Sequence, residues 1–167
     1  MANLRKIFSK IYDQYVEKIY RFIFLKVSSQ EIAEDLCSET FLRGWETFRE
    51  DQNKIENPQA FLYQVARNLV IDHYREKGRT QIVSADYVPI IDPKADIEEK
   101  TFLNSDLAKI KAVLANLKGD YQEVIIWHYI DDVPIIEIAK ILNKSEGTVR
   151  VLLHRALKAL KKEIGEV

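Results

Sequence analysis

The sequence predicts an all-α chain of two small helical domains joined by a flexible linker, the second domain closing in a helix-turn-helix. Three observations predict this. Apolar residues recur three and four apart over most of the chain. Only five Gly and four Pro interrupt its 167 residues. The stretch from Arg79 to about Asp96 loses that period, and Pro89 and Pro93 stand in it. With 47% hydrophobic and 31% charged residues, the chain can bury a core in one domain or in two small ones.

Taken in order, Leu4 to Val27 places Ile7, Phe8, Ile11, Tyr15, Ile19, Phe22, Ile23 and Leu25 on a helical apolar stripe. Ser28 and Ser29 break it and are placed to cap a second helix, with Glu31 and Glu34 in its first turns. This helix is expected to reach about Phe48 and to turn Ile32, Leu36, Phe41, Leu42 and Trp45 inward. A long polar loop is expected from Thr47 to Asn57. Pro58 opens a third helix at a position that tolerates proline; it runs to near Gly78 on Phe61, Leu62, Val65, Ala66, Leu69 and Val70.

Residues 81–104 read as the linker, and from Gln81 to Ser105 five acids face two bases. The second domain, 105–167, begins with a helix on Leu107, Ile110, Val113, Leu114 and Leu117. A turn at Lys118-Gly119-Asp120 and a helix from Val124 to Tyr129 follow.

The most informative stretch is the last. A short amphipathic helix from Pro134 ends near Leu142, Asn143 and Lys144 make a turn, and the Ser145 hydroxyl is placed to cap a final helix. That helix buries Val149, Leu153, Ala156 and Leu160, leaving Gly147, Arg150, Val151, His154, Arg155 and Lys158 on the other side. From Lys144 to Lys162 there are six Lys or Arg against one acid, Glu146. A short capped helix with a basic outer face suits a DNA major groove. A solvated face in an ordinary bundle is the competing reading.

Other features narrow the function classes. The three His residues show no metal-ligand spacing, no Gly-rich phosphate loop is present, and no metal or cofactor is expected. The single Cys37 excludes an internal disulfide and reads as a small buried or half-buried helix residue. No apolar run approaches the roughly eighteen residues that a membrane span needs, and the first ten residues lack a signal core. The expected location is the cytoplasm. Net charge is −1, unusual for a protein that binds duplex DNA unaided, because phosphate neutralisation supplies much of that affinity.

Three stretches together resemble the bacterial extracytoplasmic-function (ECF) sigma factors of the sigma-70 family. Residues 31–45 read E-I-A-E-D-L-C-S-E-T-F-L-R-G-W, similar to the family's polymerase-clamp-binding helix, D-A-E-D-L-x-Q-E-T-F-L-R-A-W. Residues 60–75 read A-F-L-Y-Q-V-A-R-N-L-V-I-D-H-Y-R, similar to the helix beside the loop that reads the minus-ten element. Residues 145–156 read S-E-G-T-V-R-V-L-L-H-R-A, against S-x-G-T-V-K-S-R-L-H-R-A. The resemblance spans nearly everything but the linker.

It implies a partner, core RNA polymerase, and a target, promoter DNA, with an anti-sigma factor as a further candidate partner and no catalytic activity. Glu31, Glu34, Asp35 and Glu39 form the acidic stretch that the resemblance aims at the polymerase clamp. For the minus-ten element it points to Asp51, Gln52, Asn53 and Lys54 in the loop, where a flipped base is captured, and to Arg67, Asn68 and Arg75 on the third helix. His73 and Tyr74 stand among them as aromatics able to stack on bases. For the minus-thirty-five element it points to Arg150 and Arg155, with Thr148, Val151, His154 and Lys158 in support.

The chain departs from the pattern in places. Val151 and Leu152 stand where a Ser-Arg pair is common, and Pro134 stands where a Ser often caps. Either Asp132 replaces that cap or Pro134 is the first helical residue. Of Ile135 and Ile136, one is expected to be buried and one exposed. Two rivals stay open beside the sigma reading: a stand-alone helix-turn-helix regulator, which leaves the acidic helix and residues 60–75 without a purpose, and a helical adaptor that binds only proteins.

Overall fold

The computed structural model describes residues 3–27, 29–80 and 102–165, and all regular structure among them is helical. It contains α1 (Asn3–Lys26), α2 (Gln30–Glu50), α3 (Pro58–Thr80), α4 (Phe102–Leu114), α5 (Gly119–Ile125), α6 (Ile135–Leu142) and α7 (Glu146–Glu163). These fall into two compact units, α1–α3 and α4–α7. The residues between Thr80 and Phe102, where the linker is expected, lie outside the described residues.

In the first unit α2 packs against both α1 and α3. Ser29 starts it, its hydroxyl accepting from the Ile32 N–H at 3.1 Å. The residues α2 buries are Ala33, Cys37, Thr40, Phe41, Gly44 and Phe48, a seam of mostly small side chains three and four apart. Gly44 lets the helices close, since a Cβ there would lie 3.1 Å from Leu62 Cδ2 and 3.4 Å from Phe8 Cζ. Leu42, expected inside, is 51% exposed because that seam lies on a different side of the helix. Ile7 is also exposed, although the α1 stripe otherwise buries Phe8, Ile19, Phe22, Ile23 and Leu25. Phe8 fixes α1 to α2 through Trp45 and Phe48, at ring separations of 5.5 and 5.7 Å. Phe22 meets Tyr63 edge-on at 5.6 Å, joining α1 to α3. The Tyr74 hydroxyl donates to the Lys26 carbonyl at the end of α1.

The loop between α2 and α3 is shorter than expected. Helix α2 continues through Thr47 to Glu50, and Gln52–Lys54 form one 3₁₀ turn. The Asp51 carboxylate starts that turn by accepting from the Asn53 N–H at 2.9 Å, and Ile55 is buried beneath it. Asn57 then caps α3, its side-chain oxygen accepting from the Ala60 N–H at 3.0 Å, with Pro58 first in the helix.

In the second unit Gln122 closes the end of α4, donating to the Leu114 and Leu117 carbonyls at 2.8 and 3.1 Å. The expected turn at 118–120 is the start of α5, with Lys118 in the capping position. The expected helix from Val124 to Tyr129 widens into a π-helical turn over Ile126–Ile130, with Trp127 buried in the core. The chain leaves it through Asp132 at φ 57, and the His128 Nδ1–H donates to the Val133 carbonyl at 3.1 Å. Pro134 occupies the capping position of α6 without a side-chain hydrogen bond, so the helix begins one residue later, at Ile135. Ile135 is half-buried and Ile136 is 50% exposed.

Candidate nucleic-acid interface

The bend between α6 and α7 is set by three residues. Asn143 ends α6 at φ 55, ψ 48, a left-handed conformation that asparagine tolerates better than most residues. The Asn143 N–H donates to the Lys140 carbonyl at 3.3 Å and the Lys144 N–H to the Ala139 carbonyl at 3.0 Å, closing the helix end. Ser145, back in extended conformation, accepts from the Thr148 N–H at 3.1 Å and starts α7.

From that start α7 has two sides. Val149, Leu153 and Ala156 are fully buried, as the spacing predicts, while Leu160 is half-buried. Gly147, Thr148, Arg150, Val151, His154, Arg155 and Lys158 are exposed. At 3.6 residues per turn, Val151 and Lys158 lie nearly opposite the buried seam, with Arg150 and His154 on one flank and Arg155 on the other. Thr148 is partly occupied, its hydroxyl lying 2.8 Å from the Ser145 hydroxyl. Arg150 reaches Glu146 at 3.5 Å in an open i,i+4 pair that holds it weakly. Among the described residues Arg155 and Lys158 have no ion-pair partner.

The first unit presents two more surfaces. On α2, Glu31, Glu34 and Asp35 are exposed and Glu39 is half-buried. Glu39 pairs with Arg43 at 3.0 Å, and Glu34 accepts from Gln30 at 2.8 Å, so Glu31 and Asp35 keep the freest charge of the four. At the turn, Gln52, Asn53 and Lys54 are exposed, and Lys54 lies 3.8 Å from Glu50. The Asp51 carboxylate is engaged by its own turn.

On α3, Asn68, Asp72 and Arg75 fall on one exposed stripe, and Arg67 is half-buried to one side of it. The neighbouring aromatics are not free to stack. Tyr74 is tied to α1, and His73 packs edge-on against it at 5.2 Å with a buried Nε2 that has no hydrogen-bond partner among the described residues. Burial, then the nearby Lys77, lowers the His73 pKa and favours its neutral form.

One surface has no counterpart in the sequence reading. An open groove of about 660 Å³ runs between α1 and α2, lined by Tyr12, Val16, Tyr20 and Phe41 with Cys37 and Ser38, and bordered by Glu17 and Glu34. Its sequence signal is the four-residue spacing of Tyr12, Val16 and Tyr20. No helix is long and apolar enough to cross a membrane, and no cluster of potential metal ligands occurs among the described residues.

Comparisons with known proteins agree with this arrangement. The family model described as Sigma-70 region 2 matches residues 11–80, and that described as Sigma-70, region 4 matches residues 107–160. The ECF RNA polymerase sigma factor SigW of Bacillus subtilis is 31% identical over 173 residues, covering 96% of this chain and 90% of SigW. The ECF RNA polymerase sigma factor BldN of Streptomyces coelicolor is 28% identical over 154 residues; the match covers 92% of this chain but spans only 58% of the length of BldN. A similar fold occurs in the sigma factor RpoE of Bartonella quintana, solved in complex with the anti-sigma factor NepR. There the TM-score is 0.72 at 23% identity, over 95% of this chain and 97% of that one.

Proposed function

The chain belongs to the sigma-70 family, as an alternative sigma factor of the ECF type that directs transcription initiation, and we propose how its residues divide that work. The first domain, residues 1–80, binds the polymerase clamp and the minus-ten element. Residues 81–104 connect it to the second, 105–167, which reads the minus-thirty-five element. The protein works in the cytoplasm and has no catalytic activity of its own.

The observation that supports this most is α7. Its fully buried residues lie on one side, and Arg150, Val151, His154, Arg155 and Lys158 stand exposed on the other. A helix of this kind fits a major groove, where arginine binds guanine edges and phosphates. Breaking the weak Arg150–Glu146 pair costs little, so Arg150 is available to DNA.

On α2, Glu31 and Asp35 lead the attraction to a basic clamp surface, with Glu34 and Glu39 beside them. At the minus-ten element Gln52, Asn53 and Lys54 offer hydrogen bonds to a flipped base, while Asp51 holds the turn that presents them. Arg67, Asn68 and Arg75 hold the neighbouring strand. Flipping costs a few kcal/mol, and a site that binds only the flipped base offsets that cost without nucleotide hydrolysis. The net charge of −1 fits a division of labour in which polymerase supplies most of the DNA affinity. An anti-sigma factor is the natural antagonist of such a chain.

The test is run-off transcription by core polymerase and this chain on a randomised promoter library. Defined start sites should appear only when both are present. Arg150→Ala and Arg155→Ala should each weaken promoter-directed output, by roughly 1–3 kcal/mol, while circular dichroism stays unchanged. A chain that binds promoters specifically but never co-purifies with core polymerase would instead be a stand-alone regulator.

A further inference from the structure

Resting on the reading of α7 as the groove helix, we propose that Val151 determines sequence preference by packing against the C5 methyl of a thymine in the upstream promoter element. Val151 is 49% exposed. Lone exposed apolar residues are ordinary, but the position of this one is not. It lies nearly opposite the buried Val149, Leu153 and Ala156, at the crest of the face that also exposes Arg150, His154, Arg155 and Lys158.

One turn earlier on the same crest stands Gly147. Glycine weakens a helix, and nothing among the described residues requires it here. A Cβ at Gly147 would meet only the Ser145 hydroxyl, at 4.0 Å, in otherwise open space. A bare crest at Gly147 lets an outside surface come down close to the Val151 methyls.

The chemistry selects the base. Valine has no hydrogen-bonding group beyond its backbone, so it cannot satisfy the polar edges of adenine, guanine or cytosine. Thymine alone carries a methyl into the major groove. Cytosine at that site would present its amino group to an apolar surface and leave it unpaired. Thr148 is the other methyl-bearing residue on this face, but it lies off the crest with its hydroxyl against Ser145.

The experiment uses holoenzyme reconstituted from the full chain and bacterial core polymerase. The preferred upstream element is first selected from a randomised library. Each thymine in it is then replaced by deoxyuridine, which removes only the C5 methyl. At one position the wild-type holoenzyme should lose about fourfold in open-complex formation, the worth of one buried methyl. Val151→Ala should cost a similar factor on the thymine template and erase the uridine penalty there.

Three results would overturn the proposal: a selected element without thymine, a uridine penalty nowhere, or a penalty that survives in Val151→Ala and vanishes in Thr148→Ser. If Arg150→Ala and Arg155→Ala still weaken output in those cases, Val151 alone is misread. If those two variants also behave as wild type, the groove reading itself has failed.

Discussion

One methyl group added at each of two glycines should move stability in opposite directions. Both Gly44 and Gly147 lie within helices, and neither has a positive φ. Alanine should therefore gain about 0.5–1 kcal/mol at either site from lower unfolded-state entropy and better helix propensity, toward the low end at Gly147, in the first turn of α7. The surroundings decide the rest. At Gly147 the methyl enters open space, so the gain stands.

At Gly44 the methyl comes within 3.1 Å of Leu62 and 3.4 Å of Phe8, which are 1% and 8% exposed and belong to different helices. Neither can retreat without disturbing α1 or α3, and overpacking of this kind costs about 1–3 kcal/mol. The net expectation is a loss of about 1 kcal/mol in the first unit for Gly44→Ala and a gain of about 0.5 kcal/mol in the second for Gly147→Ala. Native-state hydrogen exchange reads the two units separately. Slower exchange in α1–α3 of Gly44→Ala would refute the argument, because it would mean that the three helices leave room at that crossing.

Further expectations concern single residues. Ser145→Ala removes the acceptor of the Thr148 N–H and should destabilise the second unit by about 1 kcal/mol in urea unfolding; an unchanged midpoint would mean that water replaces the cap without loss. Tyr74→Phe should cost the first unit about 1 kcal/mol by leaving the Lys26 carbonyl without this donor, and an unchanged unfolding midpoint would remove the assigned tie between α1 and α3. Burial pushes the Cys37 thiol up from 9.0 to about 11. An unfolded thiol therefore ionises first, so this contribution to stability is whole below about pH 9 and is lost as pH rises through about 11. The stability difference between the chain and Cys37→Ala should narrow over that window, and parallel pH curves would contradict it.

Where a local rule has one dominant cause, the sequence made the structure legible. Ser29 and Ser145 cap because a hydroxyl before a helix satisfies free N–H groups, and both do so at 3.1 Å. The outward face of α7 was readable because Val149, Leu153 and Ala156 fix its rotation. Reading failed where packing, not pattern, decided. Hydrophobicity places Leu42 inside, yet the seam that α2 buries takes in Ala33, Cys37, Thr40 and Gly44, which are small or polar, beside Phe41 and Phe48.

The polar stretch after Thr47 reads as loop. Helix α2 instead extends to Glu50, and the Asp51 carboxylate is taken up in starting a further turn. His73 and Tyr74 read as available for stacking, but the Tyr74 hydroxyl is tied to α1, far away in sequence, and His73 packs against Tyr74. The π-helical turn at Ile126–Ile130 left no mark in the sequence, because Ile-Trp-His-Tyr-Ile carries no glycine, proline or other signal of a widened turn.

The narrow seam of α7 has a wider consequence. Only Val149, Leu153 and Ala156 of its eighteen residues are fully buried. Substitutions among the outward residues therefore do little harm to folding. On the proposed role of α7, a handful of changes to its outward residues would alter which DNA it reads while the scaffold of the second unit stays the same.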